Sequence, residues 1–106
     1  MKFREIEFPT PLRHHIEFHG GRCVQCLQAI DGATMVSVIV ADEPSRDDGS
    51  LERHVSVAAI DNETRRGPTK SEFRKAIKAA GISYTNEINK TQYATHAYTD
   101  IPKEQS

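Results

Sequence analysis

The stretch from residue 22 to residue 41 restricts the possible folds of this chain more than any other part of the sequence. Two apolar runs meet at Asp31-Gly32, and an Asp-Gly pair between such runs predicts a β-hairpin with a two-residue loop. The second run, residues 35–40, is the most apolar and most β-branched segment of the protein. Both faces of the predicted strands are substantially apolar, so we expect this hairpin in the middle of a sheet that is covered on each side.

The position of the loop also predicts the register of the hairpin. It places Ile30 opposite Ala33 and Cys26 opposite Ser37 on one face of the sheet. The other face gathers a second apolar set, which comprises Cys23, Leu27, Val36, Val38 and Val40.

The N-terminal part of the chain is predicted to be extended. Residues 1–12 suit an edge strand or arm that ends in a kink at Pro11, because proline lacks a backbone donor and restricts the residue before it. Residues 14–19 alternate between apolar and polar side chains, a pattern that predicts a half-buried strand. Gly20-Gly21 would then turn the chain into the central hairpin.

One helix is predicted in the second half of the chain. Thr69 and Glu72 match a capping box, in which each side chain satisfies a free backbone N–H group. Apolar residues recur at helical spacing from Phe73 to Ala80, and Gly81 stands where a left-handed C-cap belongs.

The whole pattern predicts one α+β domain of 106 residues. We expect an antiparallel sheet of about five strands, with one α-helix at about residues 70–80 packed on one face. The tail from residue 101 should fray. The remaining predicted segments are strands at 53–60, 82–88 and 92–99 and polar connections at 42–50 and 61–68.

The composition is that of a globular protein without a strong charge bias. A formal net charge of -1 argues against both an acidic nucleic-acid mimic and a generally basic nucleic-acid coat. No apolar run approaches the length of a membrane span, and Glu5 and Glu7 stand where a signal peptide needs an apolar core. With only two cysteines, these features predict the reducing cytoplasm of a bacterial host cell and no membrane partner.

The two cysteines form a C-x-x-C pair, Cys23 and Cys26, with His14, His15 and His19 upstream. Zinc commonly binds such a pair together with two further ligands. On a regular strand, however, residues three apart point to opposite faces, so the thiols cannot share a metal unless a bulge intervenes. We therefore expect two small buried side chains and no cofactor or metal.

Residues with catalytic potential do not form a recognised motif. His54 and Ser56 share a strand face and Asp61 follows nearby, but the members of a catalytic triad converge from separate elements. No H-x-x-x-H helix, nucleophile elbow or phosphate-binding glycine loop is predicted. The expected protein is non-enzymatic and has no catalytic residues.

Positive charges cluster on the predicted helix and just before it. Lys70, Arg74 and Lys78 recur at four-residue spacing and so share a helix face. Such a patch suits a solvated surface, an acidic protein surface or nucleic-acid phosphates, although no aromatic residue alternates with the cations to stack bases. The basic patch comprises Arg65, Arg66, Lys70, Arg74, Lys75 and Lys78.

Negative charges gather after the hairpin, in and next to the connection predicted at residues 42–50. Their spacing is not that of an EF-hand calcium loop. A basic helix and an acidic loop give the molecule a dipolar charge distribution, which suits oriented docking on a protein partner. The acidic loop comprises Asp42, Glu43, Asp47, Asp48 and Glu52.

The segment from His54 to Glu72 combines a strand pattern, HVSV, with Arg65-Arg66-Gly67-Pro68-Thr69 and the capping Glu72. This combination resembles small uncharacterised proteins that phages and prophages encode. The resemblance implies a mobile-element setting and an inhibitor that binds host or defence machinery, as anti-CRISPR proteins do.

These observations predict a small protein-binding module, monomeric or homodimeric, that inhibits a host or defence-system protein by occluding its surface. The basic patch and the acidic loop are its predicted contacts. One alternative is a nucleic-acid-binding protein that uses the basic helix at 70–78. A second alternative is a zinc or small-ligand site around Cys23 and Cys26.

Overall fold

The computed structural model describes residues 1–83 and 89–102, which form one antiparallel sheet with two helices. The strand order is β1-β2-β3-β4-β7-β6, with β5 also paired to β4, and the predicted α+β class is confirmed. In chain order the elements are β1 (Arg4–Glu5), α1 (Thr10–Phe18), β2 (Arg22–Asp31), β3 (Thr34–Pro44), β4 (Leu51–Asp61), β5 (Thr64–Arg66), α2 (Lys70–Ala80), β6 (Asn89–Lys90) and β7 (Ala94–Thr99).

The hairpin of β2 and β3 lies inside the sheet, as predicted, but its register differs from the prediction by two residues. Asp31 pairs with Thr34, so the two-residue loop is Gly32-Ala33. Gly32 has a φ of 62° while Ala33 has a negative φ, the arrangement of a type II′ loop with glycine in its first position. A shift of two residues keeps side chains on the same faces, so the predicted faces survive from Gln25 onward.

One face of the sheet forms the hydrophobic core, and α2 covers it. The strands contribute alternate residues of β2, β3 and β4, as a period of two requires. The helix contributes the apolar side that the sequence predicts for it. The buried cluster comprises Leu27, Val36, Val38, Val40, Val55, Val57, Ala59, Phe73, Ala76 and Ala97.

Most of the segment predicted as a strand at residues 14–19 belongs to α1, so that prediction is wrong. Pro11 lies in the first helical turn, where its missing N–H is not needed and its fixed φ favours the helix. Leu12 and Ile16, one helical turn apart, face the second side of the sheet, and Ile16 is only 3% exposed. Phe18, which the alternating pattern paired with Ile16, is 85% exposed. The alternation extends over too few residues to distinguish a strand from a helix.

Gly20-Gly21 ends α1 and does not join two strands. Gly20 has a φ of 84°, the left-handed conformation that closes many helices, and the Gly21 N–H donates to the Ile16 carbonyl oxygen at 2.9 Å. A Cβ atom on Gly21 would lie 2.7 Å from the Asp42 carbonyl oxygen. The chain therefore passes so close to β3 that only glycine fits without a shift.

Both predicted polar connections are shorter than expected. Because β3 continues to Pro44 and β4 begins at Leu51, the first connection contains only residues 45–50. In the second, Asn62 and Glu63 have φ values of 47° and 69°, which makes a tight turn, and β5 follows it. Polar residues at the ends of paired strands were the source of the error.

The C-terminal predictions are tested only in part. The predicted strand at 92–99 is confirmed as β7, which pairs with β4. The predicted strand at 82–88 falls largely on residues 84–88, which lie outside the described residues, as do residues 103–106 of the predicted frayed tail.

A buried ion cluster joins β2, β3 and β4. Asp42 is 0% exposed, and Arg22 and Arg53 stand directly opposite it on the two neighbouring strands. The Nε atoms of Arg22 and Arg53 donate to its carboxylate at 2.6 Å and 2.8 Å. Burial alone would raise the pKa of Asp42, but the hydrogen bonds from the two arginines outweigh it and lower the pKa.

We expect Asp42→Asn to lower the free energy of unfolding by about 3 to 5 kcal/mol, because it removes one charge of a buried ion pair. Arg53, its partner, is only 5% exposed. Arg22→Gln is the matched control, since its side chain is 55% exposed and its loss should cost about 0 to 1 kcal/mol. Urea denaturation at neutral pH measures both values, and equal losses would contradict this account.

Candidate functional site

The strongest candidate site involves the charged residues of α2. The two ends of this helix determine which of its residues face the sheet and which face solvent. The Thr69 hydroxyl accepts from the Glu72 N–H at 3.1 Å, and the Glu72 carboxylate accepts from the Thr69 N–H at 2.9 Å. This capping box and a left-handed Gly81 confirm the predicted helix bounds. Phe73 and Ala76 are buried on the sheet, so the charged residues between them point outward.

Among the residues that the structure describes, Arg66 is the one member of the predicted basic patch that forms ion pairs within the chain. Its two Nη atoms donate to the two carboxylate oxygens of Glu72 at 2.7 Å and 2.9 Å, and its Nε donates to Asp61. This paired geometry is the strong form of an arginine–carboxylate contact. Arg66 therefore ties β5 and the end of β4 to the first turn of α2.

The other members of the basic patch are exposed, and none forms an ion pair within residues 1–83 and 89–102. Two of them, Lys70 and Arg74, line a cleft of about 230 Å³ together with Lys90 of β6. Phe73 and Thr95, which are 7% and 5% exposed, contribute buried side chains to the same cleft. We call this site the cationic cleft.

Lys90 was not among the predicted site residues. It pairs with Thr95 of β7, and Thr95 lies buried beneath α2, so the sheet brings Lys90 to the helix. This proximity depends on β7 pairing with β4 and β6 with β7. A strand order of that kind leaves no local signal in the sequence.

Three cations around one cleft suit an anionic group. Lysine and arginine side chains bind carboxylates and phosphates through charge-assisted hydrogen bonds, which are about twice as strong as neutral ones. The cleft also lies at the first turn of α2, where the helix dipole favours negative charge. The chemistry of this arrangement is that of an anion-binding site.

The predicted acidic loop does not form one surface. Asp42, the first residue of this set, lies in β3 and belongs to the buried ion cluster. Glu43 and Glu52 are cross-strand partners, and both approach His54, at 3.9 Å from Nδ1 and 3.0 Å from Nε2. Asp47 and Asp48 are exposed in the connection between β3 and β4. Only this last pair is free of the sheet.

The residues considered for catalysis are divided between the two faces of the sheet, with His54 and Ser56 on the second face. Ser56 lies opposite His96 of β7, and His54 stacks on Tyr98 with ring centroids 5.8 Å apart. Neither histidine is hydrogen-bonded to Ser56 in the described part of the chain. Asp61 is bonded to Arg66, on the core face. This geometry contains no triad.

The two cysteines lie on the same face of the sheet, contrary to the expectation for a regular strand. The register of β2 shifts between Cys23 and Gln25, which marks a β-bulge. As a result Cys23 stands opposite Ala41 and Cys26 opposite Ile39, two residues apart on β3. A bulge is the condition under which two cysteines three residues apart on a strand can face the same way, and β2 contains one.

The upstream histidines belong to α1 and its cap. His15 and His19 are one helical turn apart, with ring centroids 4.6 Å from each other, so an H-x-x-x-H spacing on a helix is present after all. No group of three His, Cys, Asp or Glu side chains among the described residues is arranged to hold a metal ion. The pair therefore lacks a third ligand there.

Comparisons with protein families, with curated proteins and with solved structures give no match to this chain. Among the residues described, no helix has the length and apolar character needed to cross a membrane.

The contacts of Arg66 predict acid-sensitive stability. Its hydrogen bonds lower the pKa of Glu72 from 4.5 to about 2, and they also lower the pKa of Asp61. A carboxyl group with a depressed folded-state pKa contributes stability that is complete above its unfolded pKa and disappears as the pH falls through the folded value. We expect the free energy of unfolding to decline between pH 4.5 and about pH 2.

Arg66→Gln should lower the free energy of unfolding at neutral pH by about 1 to 2 kcal/mol, since the network is partly exposed. It should also flatten the decline over the acid range, because the two carboxyl pKa values return toward normal. Lys70→Gln removes a nearby positive charge outside the network and serves as the control. Parallel pH profiles for wild type and Arg66→Gln would contradict this assignment.

Proposed function

We propose that this protein is a non-enzymatic binding module that docks its cationic cleft on an acidic surface of a partner protein. The observation that carries the proposal is the convergence of Lys70, Arg74 and Lys90 on one cleft. Exposed cations without internal partners retain their charge for an external ligand. Arg65, Lys75 and Lys78 extend the same charge across the neighbouring surface.

A buried floor favours a defined contact over a diffuse one. Phe73 lies in the cleft but is held in the hydrophobic core, so the cleft keeps its shape in the absence of a ligand. A preformed site loses less conformational entropy on binding than a set of mobile side chains does. An acidic side chain of the partner would enter the cleft, and the surrounding lysines would steer the approach.

The partner that fits the sequence resemblance is a host or defence-system protein in the cytoplasm of a bacterial cell. In that setting the module would inhibit by covering a functional surface of the partner, as an anti-CRISPR protein does. The exposed Asp47 and Asp48 provide a second, separate contact of opposite charge. Oriented docking follows from two such contacts.

Reversing the charge of the cleft tests the proposal. The triple variant Lys70→Glu, Arg74→Glu, Lys90→Glu should lose capture of its partner from a bacterial lysate treated with nuclease, because three attractive charges become repulsive. Its melting temperature should stay close to that of wild type, since these cations make no internal ion pair among the described residues. Retained capture would show that the cleft is not the contact.

The matched control is Lys2→Glu, Arg4→Glu, Arg46→Glu. These three cations are exposed as well, so the variant carries the same change in net charge at positions outside the cleft. It should capture the partner as wild type does. An equal loss in both variants would indicate a general effect of net charge and would contradict a defined site.

A second candidate function is binding of single-stranded nucleic acid, and Tyr93 favours it. This tyrosine lies between β6 and β7, three residues after Lys90, and is 49% exposed. An exposed ring two residues before Thr95 of the cleft would serve as a stacking platform, which the basic helix alone lacks.

Salt dependence separates the two candidate functions. Binding of a fluorescent single-stranded oligonucleotide through three phosphate contacts should weaken with a slope of about -2 in log affinity against log salt. Tyr93→Ala should weaken it further by about 1 to 3 kcal/mol, whereas Tyr93→Phe should retain it. Failure of the wild-type protein to bind the oligonucleotide at low salt would eliminate this candidate.

A further inference from the structure

The two thiols lie where one bound atom could join them. The bulge leaves Cys23 and Cys26 as same-face neighbours whose partners, Ala41 and Ile39, are two residues apart on β3. Two steps along a strand separate Cα atoms by about 6.6 Å. Both thiols are free, with Cys26 2% exposed and Cys23 half-buried.

That spacing favours a bridging ion over a disulfide. A disulfide requires Cβ atoms about 3.8 Å apart, whereas side chains that project in parallel from the same strand face stay farther apart. Two metal–sulfur bonds of about 2.3 Å span up to about 4.6 Å between sulfurs. A bridging ion therefore tolerates a wider separation between the two sulfurs than a disulfide does.

The thiols open into a cavity of about 490 Å³ between β2, the segment that leads into α1, and α1 itself. Arg13 supplies the positive charge of the cavity wall, and its charge acts on the Cys23 thiol. The acidic groups near the thiols are Glu5 and Glu7 in the same wall and Glu17 of α1. The cavity therefore gives a metal ion a path to the thiols. Arg13 in its wall provides a positive charge for the thiolates.

The site has two cysteine ligands, and this number favours Cu(I) over zinc. Structural zinc takes four protein ligands, and no group of three metal-binding side chains occurs in the described part of this chain. Thiolates select soft ions such as Cu(I). We propose that Cys23 and Cys26 form a two-coordinate site for Cu(I), a role independent of the cationic cleft.

Binding replaces two S–H bonds by two S–Cu bonds, so that one Cu(I) enters and two protons leave. The product carries a net charge of one negative unit, which Arg13 stabilises and the nearby carboxylates of Glu5, Glu7 and Glu17 oppose. No electron is transferred in this step. The copper ion enters and leaves as Cu(I).

The test is an anaerobic titration of the reduced, full-length protein with Cu(I) held by a chromophoric Cu(I) chelator. We expect transfer of one Cu(I) per chain and a near-ultraviolet thiolate-to-copper absorption band. Cys23→Ser should weaken binding by about 100-fold or more, because one of two ligands is lost. Met35→Leu removes a soft sulfur elsewhere on β3 and should bind as wild type does.

A second measurement uses the wild-type protein alone and so does not depend on the folding of a variant. Bound Cu(I) should protect Cys23, the more exposed of the two thiols, from alkylation by N-ethylmaleimide. The proposal is overturned if the wild-type protein takes no Cu(I) from the chelator, if Cys23→Ser binds equally well, or if Cys23 is alkylated at the same rate with and without the ion. Preferential binding of Zn(II) at one per chain would also overturn it, because that requires further ligands.

Discussion

Burial of the valine row on β3 is the constraint on which the rest of the structure depends. Val36, Val38 and Val40 are at most 1% exposed, and they reach that state only because β2 and β4 flank them and α2 lies across them. A half-covered row would leave large apolar side chains in water, and each would lose about 1.5 to 3 kcal/mol of the free energy gained on burial. The position and rotation of α2 follow from this requirement.

The cationic cleft is therefore a consequence of core packing. Once Phe73 and Ala76 face the valines, with Ile77 and Ala80 packed beside them, the opposite side of the helix faces solvent, and it carries four cations. Arg66 and the capping box hold the first turn in place, which fixes Lys70 relative to the edge strand that carries Lys90. The floor of the cleft is therefore held in place by the hydrophobic core beneath it.

Sequence patterns predicted the elements that local chemistry defines. The capping box at Thr69 and the left-handed Gly81 gave the bounds of α2, and period-two alternation gave the core face of the sheet. The same reasoning failed at residues 14–19, where six alternating residues also suit a helix that starts with a proline in its first turn. The predicted hairpin register was also wrong. Gly32 suits either an Asp31-Gly32 loop or a Gly32-Ala33 loop, and the sequence pattern does not distinguish the two.

The candidate sites were harder to predict because they depend on pairing between distant segments. Six basic residues near α2 look equivalent in the sequence, yet Arg66 is engaged by Asp61 and Glu72 while its neighbours remain exposed. Lys90 joins them only through the order of β4, β7 and β6. Charge counts cannot separate these roles, because each depends on which side chain lies opposite in space.

The bulge in β2 links the stability of the fold to the geometry of the thiols. One extra residue, Val24, reverses the facing of everything before it in the strand. Arg22 is thereby turned toward the buried Asp42, and Cys23 is turned toward Cys26 on the opposite face. A regular strand would separate both pairs at once. The same bulge therefore gives the ion cluster its second arginine and places the two thiols on one face, whether or not a ligand is bound.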